Sequence, residues 1–371
     1  MTSKIIQEFN ERKITNTAII YVDKECHEQE KEPVCNINCL HCYYRFASRR
    51  MKTLNELVIE INKNILRGAD HIQITGGEPT LHKGFHELIA YIKKLNVMCS
   101  VITNGHLLSV ESFAKKAAPF VDYFLISFHA GTKTTLNKIC QNDNAWGKVL
   151  LALDNLEQLK IEVHVNYTVM ELNYKEIPTL VDILSTKSNV KRLCMICFNP
   201  WESVQKDREV IKTLIVSYDK MMPYIEEAAS NALSKDMDVA IRYFPFCKVS
   251  KWLRPYNFNY SALIFDKNEW NYEMWFNKRF KKNVNVLYDI ADKLNLEGTL
   301  QQRLLHAFGR FSNGFRNNFM ELPQCRQCSH YYICDMPHKE QVIFFPGMEF
   351  KNLSGKKIKG AGYYFNKKRR R

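Results

Sequence analysis

The sequence predicts an α/β fold, an incomplete barrel of parallel strands followed by a cysteine-rich extension. From about residue 17 to residue 200, short apolar β-rich runs alternate with amphipathic stretches, the pattern of parallel strands joined by crossover helices. Beyond Asn199-Pro200-Trp201 the composition shifts toward Trp, Tyr, Phe and Asn, and four cysteines flank this region. We therefore expect a barrel core and a separate, smaller domain after it.

Six strands are predicted, at Thr17–Val22, His71–Thr75, Met98–Thr103, Asp122–Ser127, Glu162–Val169 and Arg192–Phe198. Thr53 and Glu56 form a capping box ahead of apolar residues at helical spacing, which predicts a helix to about Gly68. Periodicity predicts further helices near 83–95, 108–117, 144–159, 175–187 and 207–231, and in the extension near 281–294 and 299–309. A short extended run is expected at Val239–Phe244. Together these elements predict a partial (β/α)6 TIM-like barrel.

We divide the chain into an N-terminal extension (1–16), a barrel core (17–235), a cysteine-rich domain (236–345) and a basic C-terminal tail (346–371). The 371 residues are 46% hydrophobic and 25% charged, which is ordinary for globular proteins. There is no uncharged apolar stretch long enough for a membrane span, and the N-terminus does not resemble a signal peptide. We expect a soluble, cytoplasmic protein that does not bind membranes.

The formal net charge of +14 favours acidic partners, and the run Lys367–Arg371 is its densest part. No helix-turn-helix, zinc-finger or RNA-binding signature accompanies that run. A solvated tail is therefore the favoured interpretation, and we do not expect nucleic acid as a partner.

Twelve cysteines in a reducing compartment indicate metal or cluster ligation rather than disulfides. Cys35, Cys39 and Cys42 have C-x3-C-x2-C spacing in a loop after the first strand. Three thiolates can hold three irons of a four-iron cubane and leave the fourth iron open to a chelating ligand. Zinc is the alternative, but structural zinc usually takes four ligands, and Cys26 and His41 lack the usual paired spacing.

A second motif, Gly76-Gly77-Glu78-Pro79, follows the second predicted strand. Two glycines permit close backbone approach, and a carboxylate can accept hydrogen bonds from an ammonium group. A simple strand-ending turn is the alternative interpretation. In barrel-like α/β folds, however, active-site groups gather at the carboxyl ends of the strands, where this motif lies.

These motifs resemble the radical S-adenosylmethionine (radical SAM) superfamily, whose three-cysteine signature is followed by an aromatic residue, here Tyr43. The resemblance implies a [4Fe–4S] cluster on the three cysteines, with the methionyl amine and carboxylate of S-adenosylmethionine on its open iron. It places Tyr43 against the adenine and the glycine motif at the methionyl amine. It also suggests Ser127 and Asn166 as groups near the ribose or carboxylate, although each can equally be a core residue.

Cys325, Cys328 and Cys334 have C-x2-C-x5-C spacing, which resembles the C-terminal motif of radical enzymes with a SPASM or shorter twitch extension. The resemblance implies a second, auxiliary [4Fe–4S] cluster, with Cys247 as its fourth ligand. A four-thiolate zinc site is one alternative. In another, Cys247 is a catalytic free thiol that donates a hydrogen atom to a substrate radical.

The implied activity is reductive cleavage of S-adenosylmethionine to a 5′-deoxyadenosyl radical that abstracts a hydrogen atom from a substrate. A one-electron donor such as flavodoxin or ferredoxin is expected. Maturation of a ribosomally made peptide (a RiPP) is the favoured function. Residues 1–16 do not resemble a leader-binding winged helix, so a separate protein would have to recognise the peptide. The alternative is modification or epimerisation of a sugar, an aminoglycoside or another small molecule.

A hypothesis from another class is a zinc-stapled module that binds nucleic acid or protein without catalysis. The basic charge and the paired cysteine groups favour it. It leaves the motif Gly76–Pro79 unexplained.

Overall fold

The computed structural model describes residues 17–42, 44–45, 47–66, 69–198, 200, 208–258, 319–331, 333–358 and 363–364. The predictions for residues 1–16, Tyr43, the helices near 281–294 and 299–309, and Lys367–Arg371 lie outside these residues. The chain forms two compact units. We call Ala18–Val216 with Lys220–Ala240 the barrel unit, and Met1–Thr17 with Ser217–Asp219 and Ile241–Arg371 the cysteine-rich unit.

The described strands are β1 (Thr17–Tyr21), β2 (Asp23–Glu25), β3 (Arg49–Met51), β4 (His71–Thr75), β5 (Met98–Thr103), β6 (Tyr123–Ser127), β7 (Glu162–Val169), β8 (Val190–Cys197), β9 (Asp238–Arg242) and β10 (Asn257–Phe258). Eight of them form one curled sheet in the order β1-β4-β5-β6-β7-β8-β9-β10, in which the neighbours from β4 to β8 pair in parallel. The predicted α/β class and incomplete barrel are confirmed.

The expected number of six strands is two too few. The sequence predicts an extended run at Val239–Phe244, which corresponds to β9, but it does not predict that this run belongs to the barrel sheet. β10 has only two residues, which is too short for an alternating pattern to show.

The described helices are α1 (Leu54–Leu66), α2 (Phe85–Lys94), α3 (Glu111–Ala117), α4 (Lys133–Cys140), α5 (Ala145–Gln158), α6 (Ile177–Ser185), α7 (Arg208–Leu214), α8 (Tyr218–Ser234) and α9 (Lys339–Phe344). The capping box before α1 is confirmed, since Thr53 N donates to Glu56 Oε2 at 2.8 Å and Glu56 N donates to Thr53 Oγ1 at 3.2 Å. The single helix expected over 207–231 is wrong. It is divided into α7 and α8, and the buried, β-branched Ile215 and Val216 lie between them.

The two faces of the sheet differ in polarity. Ile72, Ile74 and Val101 are completely buried on the apolar face of β4 and β5. The buried polar residues His71, Gln73 and Ser100 alternate with them, and His71 Nε2 lies 2.8 Å from Ser100 Oγ on the other face. The buried Cys99 lies on the apolar face, as expected for a cysteine that acts as a small hydrophobe.

Candidate active site

A two-stranded antiparallel ribbon closes the base of the loop that carries the first cysteine set. Its strands β2 and β3 pair Asp23 with Met51 and Glu25 with Arg49, and Cys26 N donates to Ser48 O at 3.1 Å. We call residues 26–48 the cysteine loop. The sequence analysis missed this ribbon, because strands of three residues carry no periodic signal.

The cysteine loop is fastened to the turn after β4 immediately before its first cysteine. Glu78 N donates to the carbonyl oxygen of Val34 at 2.7 Å. A Cβ atom added to Gly77 would lie 2.1 Å from that oxygen, so only glycine allows this approach. Gly76 has φ +140°, and a Cβ atom there would lie 2.2 Å from Asp23 Oδ1. Gly77 is therefore required by backbone packing, and Gly76 by its positive φ and the nearby Asp23 carboxylate.

Asp23 and Arg49 form a buried ion pair behind this turn. Asp23 Oδ2 is paired with Arg49 Nε, and Asp23 Oδ1 accepts a hydrogen bond from Gly77 N at 3.0 Å. The Arg49 guanidinium carbon lies 4.5 Å from the ring centroid of Tyr44, two residues after Cys42. The pair therefore links the ribbon, the glycine turn and the far side of the cysteine loop.

The Glu78 carboxylate is buried and accepts four hydrogen bonds from the protein. Its Oε1 accepts from Thr80 N at 3.1 Å, Thr80 Oγ1 at 2.6 Å and Thr103 Oγ1 at 2.7 Å, and its Oε2 accepts from Asn104 N at 2.7 Å. Burial raises the pKa of Glu78, and these hydrogen bonds oppose that rise. Glu78 thus ties the end of β4 to the end of β5 and caps the short 3-10 turn that begins at Pro79. Its contact with a methionyl amine stays a prediction.

The three thiols of the cysteine loop lie in surroundings that disfavour their charged forms. Burial raises the pKa of Cys35 to about 12, and burial with the nearby Cys39 raises the pKa of Cys42 to about 11. A hydrogen bond with Cys140, together with burial, raises the pKa of Cys39 well above its usual value. Cysteine ligands bind metal as thiolates. A bound cation would supply the positive charge that stabilises these thiolates in buried surroundings.

Within the described residues, no three His, Cys, Asp or Glu side chains stand in metal-binding geometry. The fit to a cluster therefore rests on the donor chemistry. Three soft thiols without a fourth ligand of the usual zinc spacing suit an iron–sulfur cluster with one open iron.

His41 is a candidate that the sequence analysis did not identify as a site residue. Its ring meets that of His129 edge to face, with 4.6 Å between the centroids. Burial lowers the pKa of His41 to about 4 and that of His129 well below its usual value, so both rings are neutral at pH 7. His129 Nδ1 accepts from Thr168 N at 3.0 Å, which leaves its proton on Nε2. The position of His41 directly before Cys42 was the available signal.

Ser127 and Asn166 are paired neighbours on β6 and β7. Asn166 is 8% exposed, and its Oδ1 is buried with no hydrogen-bond partner among the described residues. A buried acceptor without a protein partner is suited to accept a hydrogen bond from a polar ligand group. Tyr43, the expected adenine contact, lies outside the described residues.

The second cysteine set lines one cavity in the cysteine-rich unit. Cys247, Cys325, Cys328 and Cys334 all line it. Burial and the neighbouring Cys325 and Cys328 raise the pKa of Cys247 to about 12, while burial and Cys247 raise the pKa of Cys334. The sequence analysis placed these four residues together from spacing and resemblance, and the fold brings all four to one cavity.

Backbone amides also point at two of these sulfur atoms. Leu353 N donates to Cys328 Sγ and Met336 N donates to Cys334 Sγ, each at 3.4 Å. N–H donors to sulfur are typical of thiolate ligands in iron–sulfur sites, and a four-thiolate zinc site has the same donor set.

Residues 32–184 match the sequence profile of the Radical SAM superfamily. These residues form a radical SAM domain. It contains the cysteine loop from Glu32 onward, the glycine motif, Ser127 and Asn166. The family implies a [4Fe–4S] cluster and S-adenosylmethionine. The radical SAM match and the enzyme names of its relatives support an enzyme rather than the non-catalytic zinc module.

Two relatives illustrate the similarity. The chain is 28% identical over 179 residues to the Fe-coproporphyrin III synthase of Methanosarcina barkeri, covering 45% of this chain and 44% of that protein. It is 28% identical over 164 residues to a probable GTP 3′,8-cyclase of Thermoplasma volcanium, covering 43% of this chain and 50% of that protein. The chain therefore spans about half the length of these relatives.

Solved structures show weaker likeness. Streptococcus suis SuiB bound to the precursor peptide SuiA has a TM-score of 0.49 at 12% identity, covering 72% of this chain and 64% of that one. Native anSMEcpe with bound AdoMet and a Kp18Cys peptide has a TM-score of 0.47 at 23% identity, covering 61% of this chain and 63% of that one. These likenesses are too low to carry a functional argument.

Among the described helices, none combines the length and the apolar character that crossing a bilayer requires.

Proposed function

We propose that this radical SAM enzyme binds a [4Fe–4S] cluster through Cys35, Cys39 and Cys42 and cleaves S-adenosylmethionine reductively. The observation that carries the proposal is the close docking of the cysteine loop on the Gly77–Glu78 turn at the Val34 carbonyl. Two motifs that are distant in sequence meet there at the carboxyl end of β4. When bound, the cluster and S-adenosylmethionine supply a 5′-deoxyadenosyl radical that abstracts a hydrogen atom from the substrate.

The residues of the chain hold and orient these groups. The three cysteines are the ligands, and the glycine turn fastens the loop that carries them at the Val34 carbonyl. The neutral rings of His41 and His129 form an uncharged wall next to the third cysteine. Asn166 offers a buried acceptor for a hydroxyl or ammonium group of S-adenosylmethionine. The reaction consumes one electron, which a flavodoxin or ferredoxin would deliver.

The second site is proposed to hold an auxiliary [4Fe–4S] cluster in a twitch-like extension. The shared cavity supports this, because four thiols that face one another can all ionise only around a cation. It also supports Cys247 as a ligand rather than as a free hydrogen donor, since Cys247 lies beside Cys325 and Cys328. Zinc remains the alternative occupant, which metal analysis distinguishes.

For the substrate, a ribosomally made peptide is our first proposal, because the second cysteine set resembles that of twitch and SPASM enzymes. A separate recognition protein would then present the peptide. Modification of a sugar, an aminoglycoside or another small molecule is the second candidate. The names of the relatives favour it, since one is a GTP cyclase and the other a coproporphyrin synthase.

Anaerobic reconstitution tests the cofactor assignment. The wild-type protein should contain roughly eight irons, absorb near about 400 nm and form 5′-deoxyadenosine only with dithionite and S-adenosylmethionine. Replacing Cys35, Cys39 and Cys42 together with alanine should abolish cleavage and leave about four irons. Cys99→Ala is the matched control, because Cys99 is buried near the amino end of β5 and belongs to neither cysteine set. A colourless protein with stoichiometric zinc, or loss of all iron from the triple variant, contradicts the two-cluster assignment.

Substrate class is tested by turnover in the presence of candidate substrates. Precursor peptides encoded beside the gene, with and without a co-encoded recognition protein, are compared with nucleotides, tetrapyrroles and aminoglycosides. The correct class accelerates formation of 5′-deoxyadenosine, and a deuterated substrate transfers its label to that product. Acceleration by small molecules alone would overturn the peptide proposal.

A further inference from the structure

Asn104 follows β5 and joins three parts of the barrel unit. Its backbone N donates to Glu78 Oε2 at 2.7 Å, and its Oδ1 accepts from His106 N at 2.9 Å. Its Nδ2 donates to Asn36 Oδ1 at 2.7 Å and lies 3.8 Å from Cys35 Sγ, within hydrogen-bonding range of sulfur. Asn104 is only 7% exposed. Its side-chain amide is thus fully engaged with the protein and directed at the cysteine loop.

This arrangement makes one continuous chain of contacts from the glycine motif to the first cysteine. Glu78 fixes the backbone of Asn104, and the Asn104 amide in turn contacts Asn36 and Cys35. The Val34 carbonyl, on the other side of Cys35, accepts from Glu78 N. Cys35 is therefore held from both sides through Glu78.

We propose that Asn104 is a positioning residue that holds Cys35 in place for cluster binding and supplies an N–H group to its sulfur. The proposal rests on Cys35 being a cluster ligand, as proposed above. Hydrogen bonds to cluster sulfurs stabilise the more negative, reduced state and so raise the reduction potential. Asn104 therefore acts on the cluster through Cys35 and needs no contact with S-adenosylmethionine.

Two variants separate this role from ordinary turn capping. Asn104→Ala removes the cap on His106 N and both amide contacts to the loop. Asn104→Asp keeps an oxygen for the His106 cap and loses the N–H group directed at Cys35. Asn142→Ala is the matched control, because Asn142 Oδ1 caps Asn144 N at 2.9 Å in the same way, while its side chain makes no hydrogen bond to a cysteine sulfur among the described residues.

Hydrogen exchange of the cluster-free protein gives a readout that is independent of activity. Asn104→Ala should raise deuterium uptake in the segment around Asn36, whereas Asn142→Ala should raise it only near its own turn. Potentiometry of the reconstituted protein, followed by the EPR signal of the reduced first cluster, gives the second readout. Both Asn104 variants should lower the midpoint potential, and Asn142→Ala should not.

The proposal is overturned if Asn104→Ala increases exchange only around residues 103–108 and both variants keep the wild-type potential. If Asn104→Ala does not fold, deuterium uptake around Asn36 in cluster-free Asn104→Asp decides alone, because the added carboxylate by itself lowers the potential. A wild-type protein that binds no first cluster would instead refute the proposed function, and the exchange experiment would still report whether Asn104 holds the loop.

Discussion

The Glu78 amide donates to the Val34 carbonyl at 2.7 Å, next to Cys35, while the Glu78 carboxylate accepts four hydrogen bonds of its own. A single residue of the glycine motif therefore holds both the cysteine loop and the end of β5. This explains why the motif pairs small residues with a carboxylate. The glycine lets the loop approach, and the carboxylate fixes the neighbouring turn.

Replacement of Gly77 should disrupt the site at the first cysteine. In Gly77→Ala, the new Cβ would lie 2.1 Å from a backbone oxygen, which cannot move aside as a flexible side chain can. We expect a loss of about 2 kcal/mol or more in the free energy of unfolding, by analogy with overpacked cores, and a loss of iron from the first cluster. Denaturant unfolding and iron analysis measure the two effects.

Gly147→Ala is the control for Gly77→Ala. Gly147 lies in α5, and nothing approaches the position of its Cβ within 4 Å. Alanine there should stabilise the protein by about 0.5–1 kcal/mol, because glycine weakens helices. Equal effects of the two substitutions would contradict the docking that we describe.

The ion pair of Asp23 with Arg49 should be strongly coupled. Arg49→Met leaves a buried carboxylate without its cation, which costs about 3–5 kcal/mol in comparable pairs. The double variant with Asp23→Asn should recover part of that loss, and a double-mutant cycle in denaturant measures the coupling. Lys31→Met breaks the exposed pair with Glu28 and should change nothing measurable. Additive effects of the Asp23 and Arg49 substitutions would argue against a direct interaction.

The parts of this site that the sequence predicted are those encoded in short contiguous motifs. Cys35, Cys39 and Cys42 share one loop, and Gly76–Pro79 is a single turn at the end of a strand. Parallel strands bring the ends of such segments to the same edge of a sheet, so their proximity follows from the fold class. The chemistry of each motif was therefore open to inference before the fold was known.

The contacts between segments were not predictable in this way. His41 and His129 meet only because α4 packs its end on the cysteine loop, where Leu40 N donates to Ile139 O at 2.9 Å. Asp23 and Arg49 face each other through strands of three residues. Tertiary packing also overrode local helix preference between α7 and α8. Such features depend on partners that are far apart in sequence.

Stability should fall in mildly acidic solution because buried histidines must become charged. His106 is 3% exposed, and burial lowers its pKa from 6.5 to about 4. A depressed pKa gives stability that is present above about pH 6.5 and is lost as the pH falls through about 4. The loss from this residue is at most about 3.5 kcal/mol, since each pKa unit corresponds to about 1.4 kcal/mol.

Unfolding measured from pH 7 to pH 4 tests this contribution. His106→Gln cannot gain charge and should show a flatter fall in the free energy of unfolding. His27→Gln is the control, because His27 is exposed and should keep the wild-type pH dependence. A His106→Gln curve parallel to that of the wild-type protein would show that His106 does not drive the acid sensitivity.

The role of Cys247 can be decided by counting irons. Cys247 lines the same cavity as Cys325, Cys328 and Cys334, and its pKa is raised to about 12 by burial and by two of those thiols. If all four are ligands, Cys247→Ala leaves an incomplete set and lowers the iron content from roughly eight to about four per chain. Cys334→Ala should do the same, while Cys99→Ala should keep every iron. A hydrogen-donating thiol predicts the opposite for Cys247→Ala, which would retain both clusters and stall after abstraction with a substrate radical visible by EPR.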